Sequence, residues 1–539
     1  MQPKIHVSVL GAFAVMFFVA GRVGAHDSPT TNLASVPADI RAIFDKPLYK
    51  NAIWGLRVVD TQDGEVLINL EPDYPFIIGS VRKVFSIGEL LNQVGADHTY
   101  DTPVYRQGGI NRAGVLYGDL ILKASGDLTM GGRTNPNGTI AVSDYDHNEA
   151  DSLGNAVLTA PDPLAGYKAL AQQVAAAGIK EITGEVIIDD RLFQPFNFRG
   201  QFDVRPIFVN DDVVDLTINP ISTSHPASVK WRPVSAALNV DNNLFTSGPG
   251  TPTTLSLNPE IPQCIGQPGC SAEVTGKLPT DFMPPLTGKF PLVQTFRIAQ
   301  PSNYARTVFI EALQAVGVQV DAPPVAINPA ELLPPKNSYL PGARLAELTG
   351  MPYSAEAKLI LKVSYNIGAD TSLVLYGLTQ GVDNEAAALK VEQRNLRVHY
   401  GIREHEYHFV DGSGGDDTTA INRAVTRMLA DLRVSREFAS FFDALPILGV
   451  DGSLGFVTDF ESDPTLAGAK GKVRAKTGTL IKNSLLQGQA FGGYIKAQSG
   501  KPLIFELVVN NVEIPGGLND VLQVFQDEGT ISAILWRDN

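Results

Sequence analysis

Three short patterns stand in order along this chain: Ser80-Val81-Arg82-Lys83, Ser364-Tyr365-Asn366 and Lys476-Thr477-Gly478. The first two lie 284 residues apart. If their side chains act together, the fold must return its last third to a segment near its start. The residues between then form an insertion into one split unit. At 539 residues the chain is too long for one ordinary domain, and about two to four are expected.

Each pattern has a chemical reason. One helical turn separates Ser80 from Lys83, so both side chains project from one face. A serine hydroxyl is a weak nucleophile until a base takes its proton. Lysine can take it only when neutral, so its pKa must fall several units from about 10.4. Burial and a neighbouring cation produce such a fall. The helix start beside Ser80 favours negative charge as it develops. Alone, S-x-x-K occurs about once or twice by chance in a chain this long, and an isolated match is ordinarily an exposed helix turn. Here Ser364-Tyr365-Asn366 falls on a turn between helices and Lys476-Thr477-Gly478 introduces strands. Three patterns in order, each in suitable local structure, make coincidence a poor explanation.

Composition narrows the class. Hydrophobic residues make up 44% and charged residues 19%, as in a globular chain with real cores. A formal net charge of -14 gives no attraction to a phosphate backbone, so nucleic acid is not an expected partner. Lys4 precedes a 12-residue apolar run, Val9 to Ala20, and small residues follow at Val23-Gly24-Ala25. That run is short for a bilayer span, and residues 1–25 are expected to be a signal peptide cleaved after Ala25. A retained membrane anchor is the other reading. The two cysteines, Cys264 and Cys270, flank Pro and Gly residues that favour a tight turn. In an oxidising compartment they are expected to pair, a local clip of roughly 2 kcal/mol. Two buried free thiols are the alternative.

The periodicity predicts helices over Val36 to Phe44, from Ser80 through Val94, and over Ala165 to Ala177, Tyr304 to Val316, Ala355 to Lys362 and Thr371 to Leu378. Strands are predicted at Trp54 to Asp60, Glu65 to Leu70, Asp119 to Lys123, Glu185 to Asp189, Leu485 to Tyr494 and Leu503 to Val509. Short β-runs with Pro and Gly occupy Val213 to about Thr280. The Pro-rich stretch Pro323 to Pro335 suits a linker or an extended crossing. His399, His405 and His408 lie near Glu404 and Glu406, but their spacing is wrong for H-E-x-x-H. No metal and no cofactor are expected.

The order S-x-x-K, S-x-N, K-T-G resembles that of penicillin-recognising serine enzymes. The long gap after the first pattern resembles one branch, the class C low-molecular-mass penicillin-binding proteins, or D-Ala-D-Ala carboxypeptidase/endopeptidase family. The resemblance extends through Gly118-Asp119-Leu120 and Gly126-Asp127, Gly184 to Asp190, Asn303-Tyr304-Ala305, Asp411-Gly412-Ser413-Gly414, Leu445 to Gly452 and Val473 to Thr479. Two departures stand out. The family usually continues D-G-S-G with Leu-Ser-Arg, where this chain has Gly415-Asp416-Asp417. Gly131 to Leu158 matches poorly and is expected to be a variable loop.

The resemblance implies an α+β fold: a split transpeptidase/β-lactamase-like catalytic domain, antiparallel sheet with helices, carrying a large mixed and β-rich insertion. The expected division is a catalytic unit over 26–98 and 336–539, an inserted domain over 99–212 and 281–335, and a β-rich one over 213–280. It implies Ser80 as nucleophile, Lys83 as base and Ser364 as proton relay. Asn366, Lys476, Thr477, Gly478 and Thr479 are implied to bind substrate. The implied partners are peptidoglycan stem peptides, with β-lactams as covalent inhibitors, for an exported protein, periplasmic or secreted, with peripheral membrane or wall association open. A β-lactamase or related esterase is the enzymatic alternative, although no E-x-x-x-N segment stands at the expected place after Ser364. A wall-binding module with relic motifs is the other.

Overall fold

The computed structural model describes residues 33–539. The expected signal segment, 1–25, lies outside the described residues. Five strands form an antiparallel sheet in the order Val66–Leu70, Ile53–Asp60, Pro502–Glu513, Leu485–Lys496, Val473–Lys482. The first strand pair of the described chain is thus zipped onto the last three. The strand Pro502–Glu513 explains why its sequence reads as a nearly continuous apolar run. Phe505, Leu507 and Val509 enter one core, while Ile504 and Val508 enter another. A strand covered on both faces needs no polar alternation.

One face is covered by the helices Ala38–Phe44 and Leu518–Asp538, which contribute Ile40, Ile43, Val521, Val524, Ile531 and Leu535. The other is covered by Lys83–Val94, Tyr353–Val363, Asn366–Thr379 and Asn422–Val434. Val84, Ile87, Leu90 and Leu91 recur at helical spacing and are buried, each contributing roughly 1.5–3 kcal/mol. The helix expected from Ser80 begins instead at Lys83. Ser80 lies in the preceding 3₁₀ turn, Gly79–Arg82. The helix expected at Thr371 begins five residues earlier, at Asn366.

A second, mixed sheet is ordered Gln319–Val320, Glu181–Ile182, Val115–Lys123, Asp101–Ile110, Arg344–Thr349, with Val186–Asp189 parallel to Val115–Lys123; its last strand lies beyond the expected insertion, 99–335. Two three-stranded sheets follow, centred on Val213–Asn219 and Ser271–Pro279. Cys264 and Cys270 are disulfide-bonded, with Cα atoms 5.3 Å apart. Among the described residues no helix is long and apolar enough to cross a membrane. Secondary structure, layers and insertion together make an α+β fold.

The Gly131 to Leu158 segment is not a plain surface loop. It buries Arg133, Asp146 and His147. Arg133 Nη1 donates to Asp146 Oδ2 at 2.8 Å and its Nε to Asp211 Oδ2 at 2.9 Å. His147 bonds Asp215 Oδ1 through Nδ1 at 2.7 Å. Burial opposes charge on His147, but Asp215 and Asp146 outweigh it and raise its pKa to about 10. Asp146, His147 and Asp211 lie close enough to share a metal ion. A guanidinium and an imidazolium already neutralise that cluster, which argues against a metal there.

The S-x-x-K turn is anchored through its second variable residue. Arg82 is fully buried, pairs with buried Glu392 on the helix Glu385–His399, and donates through Nε to the Asp411 carbonyl at 2.9 Å. Removing one partner of a buried pair strands the other charge, at about 3–5 kcal/mol. Arg82→Ala is therefore expected to lower the unfolding free energy by about that amount in urea denaturation. A change within about 0.5 kcal/mol would contradict this account of the turn.

Candidate active site

Ser364 shows how local structure builds the site. The helix Tyr353–Val363 ends on it, and it adopts the left-handed conformation (φ 62°) of a C-terminal turn. A left-handed serine is uncommon, and such strain persists where the surroundings enforce it. Two residues on, Asn366 starts the next helix. One tight corner thereby aims both polar side chains at the Ser80 turn.

Lys83 Nζ lies 2.6 Å from Ser80 Oγ, 2.7 Å from Asn366 Oδ1, 2.9 Å from the Ser413 carbonyl oxygen and 3.4 Å from Ser364 Oγ. Lys476 Nζ donates to Ser364 Oγ at 3.0 Å and to the Thr477 carbonyl at 2.8 Å. The five motif side chains Ser80, Lys83, Ser364, Asn366 and Lys476 are therefore one connected group. Burial, then the positive charge of Arg199, lowers the Lys83 pKa from 10.5 to about 7, against the pull of Asp370, Glu149 and Asp411. Burial, then Lys83, takes Lys476 well below its ordinary value.

The bonding pattern says where the lone pair of a neutral Lys83 points. An amine has two N–H bonds, and the Asn366 and Ser413 carbonyl oxygens can only accept. They take the two protons. The lone pair is left for the Ser80 hydroxyl, the short contact of the set.

Gly478 holds the strand Val473–Lys482 against the turn. A Cβ on Gly478 would stand 1.9 Å from the Ile78 carbonyl oxygen and 2.9 Å from the Val81 nitrogen. Only glycine lets the strand approach this closely. The hydroxyls of Thr477 and Thr479 are not bonded to the Ser80 group. Thr477 Oγ1 is 2.7 Å from Ser453 Oγ, and Thr479 Oγ1 donates to Gln489 Oε1 at 2.8 Å. Cys264 and Cys270 lie elsewhere, with the inserted core.

Three participants were not legible as site residues in the sequence: Glu149, Arg199 and Ser413. Glu149 Oε1 accepts from Asn366 Nδ2 at 3.1 Å. Arg199 Nη2 donates to Asp411 Oδ2 at 2.6 Å and to Ser413 Oγ at 2.7 Å. Ser413 belongs to a tetrapeptide that the sequence did single out. Glu149 and Arg199 come from the inserted region and follow no pattern. The one pointer was the departure at Gly415.

A buried lysine bonded to a serine hydroxyl, beside a second serine, an amide and a second lysine on a sheet edge, defines a serine acyl-transfer hydrolase. The chain matches the D-Ala-D-Ala carboxypeptidase 3 (S13) family over residues 36–524 and belongs to that family. It is a serine-type D-Ala-D-Ala peptidase. A D-alanyl-D-alanine carboxypeptidase from Actinomadura sp. (strain R39) is 24% identical over 552 residues, covering 96% of this chain and 87% of the relative. Penicillin binding protein 4 from Haemophilus influenzae shares the fold, with a TM-score of 0.67 at 15% identity over 93% of this chain and 99% of that one. The same protein complexed with a β-lactam gives 0.64 at 17% identity, with the same coverage.

Gly478→Ala is expected to push the strand off the Ser80 turn and slow labelling by a fluorescent penicillin about 100-fold, with far-UV circular dichroism unchanged. Labelling at the wild-type rate would contradict the close approach described.

Proposed function

We propose that the protein is an exported D-Ala-D-Ala carboxypeptidase/endopeptidase that cleaves peptidoglycan stem peptides through an acyl-enzyme on Ser80. The observation that carries this is the 2.6 Å contact between Ser80 Oγ and a buried Lys83 whose other neighbours absorb its N–H bonds. Ser80 Oγ attacks the carbonyl carbon of the D-Ala-D-Ala bond as its proton passes to Lys83 Nζ. The backbone N–H groups of Ser80 and Thr479 receive the oxyanion. On collapse the C–N bond breaks. Ser364, within reach of Lys83 and Lys476, passes a proton from Lys83 to the departing amine. Water then attacks the ester carbonyl and gives its proton to Lys83, and the ester bond breaks as Ser80 regains a proton.

Asn366 orients Lys83 and the substrate amide. Burial and Lys83 hold Lys476 below its ordinary pKa; a carboxylate arriving beside it favours the charged form. Thr477 and Thr479 exchange their present partners for that carboxylate, and Gly478 keeps the strand close. A β-lactam presents the same carbonyl and acylates Ser80, and its ring fragment stays attached to obstruct water. Export is supported by the apolar run Val9 to Ala20 and agrees with the Cys264–Cys270 disulfide. Peripheral wall or membrane association fits the same location. In this proposal the catalytic unit is split, 26–98 and 336–539, around the inserted 99–335, and Arg344–Thr349 lends an edge strand to the inserted sheet.

The test is mass spectrometry of purified wall fragments after incubation. Loss of one terminal alanine or scission of a D-Ala cross-link is expected with the wild type and neither with Ser80→Ala. Unchanged fragments, or penicillin hydrolysed rapidly without a lasting adduct, would overturn the reading.

A further inference from the structure

The inserted region does more than flank the cleft. We propose that its Glu149 and Arg199 are positioning residues for the reaction, each holding one of the two oxygen acceptors that orient Lys83. This rests on Lys83 acting as the base for Ser80.

The first acceptor is Asn366 Oδ1. A carboxylate can only accept hydrogen bonds, so Glu149 fixes the Asn366 amide with its NH₂ outward and its oxygen toward Lys83. Without it only the Lys83 N–H favours that orientation. Glu149 lies at the end of a short 3₁₀ turn, His147–Glu149, next to the buried Arg133, Asp146 and His147 cluster. That cluster ties the turn to Asp211 and Asp215, so Glu149 approaches on a braced support.

The second acceptor is the Ser413 carbonyl. Its loop is folded around Asp411, whose Oδ1 accepts from the backbone N–H groups of Ser413, Gly414 and Gly415. Arg199 lies in the turn between the strands Phe196–Phe198 and Phe202–Val204. It clamps this loop through Asp411 and the Ser413 hydroxyl. Its guanidinium carbon lies 4.5 Å from the centroid of the Phe198 ring. A Cβ on Gly415 would stand 2.6 Å from Arg199 Nη2 and 2.4 Å from Asp411 Oδ2. The departure from Leu-Ser-Arg at this point therefore has a steric meaning. Glycine makes room for an arginine that arrives from the insertion.

The two residues carry opposite charges, which separates positioning from general structural support. The groups that act on Lys83 are Arg199 from its turn, Asp370 from the helix Asn366–Thr379, Glu149 from the insertion and Asp411 from its loop, with Lys476 across Ser364. Arg199 disfavours the ammonium form and Glu149 favours it.

The experiment measures the rate of penicillin acylation against pH for the full chain. The wild type is expected to gain rate as pH rises through about 7, where Lys83 loses its proton. Arg199→Gln is expected to move that limb to higher pH by about one unit, and Glu149→Gln to lower pH. Arg199→Lys should restore most of the limb. Gly415→Ala, which displaces the guanidinium without removing its charge, should move it in the same direction as Arg199→Gln and serves if that variant does not fold. Limbs that stay in place, or that move the same way for Glu149→Gln and Arg199→Gln, would overturn the inference. A wild type with no acylation at any pH would instead sink the reading it rests on.

Discussion

Lys83 cannot keep its proton cheaply, and the site is arranged around that fact. An ammonium group with no access to water loses its hydration, and a second cation nearby adds to the loss. The neutral amine is left with two protons and one lone pair. Two carbonyl oxygens take the protons, and the lone pair meets the Ser80 hydroxyl. No histidine is needed, because burial does the work that an intrinsically weaker base would do elsewhere.

That arrangement depends on pieces far apart in sequence. The turn that carries Ser80 is wedged between the sheet edge, where Gly478 permits contact, and the Asp411 loop, which also receives Arg82. The five-stranded sheet joins the start of the described chain to its end, because Ile53–Asp60 pairs with Pro502–Glu513. The chain passes into a second, mixed sheet after the helix Lys83–Val94, and Arg344–Thr349 is an edge strand of that sheet. The segment between them brings two charged side chains to the site, on a support whose Leu128, Phe198, Phe202 and Phe208 share a core with the helices that carry Lys83 and Asn366.

Much of this was legible in the residues. Ser80, Lys83, Ser364, Asn366 and Lys476 could be chosen because the chemistry needs those groups, and their order resembled one family. The strands at Trp54 to Asp60 and Leu503 to Val509 and the paired cysteines followed from local pattern. The missed features share a cause. Glu149, Arg199 and the buried Arg133 and His147 act through contacts with residues tens to hundreds of positions away, and no periodicity marks them. Likewise the 3₁₀ turn at Ser80 depends on the strand and loop pressed against it. A helical apolar pattern cannot reveal where tertiary contact tightens its first turn.

Lys83 is expected to give up its proton around pH 7 in the folded protein, well below an ordinary lysine. Nuclear magnetic resonance of protein carrying ¹³C-labelled lysine side chains, assigned with Lys83→Arg, measures its titration directly. A midpoint at about 7 is expected. A Lys83 signal that stays in its ammonium form up to the ordinary lysine value of about 10.4 would contradict it.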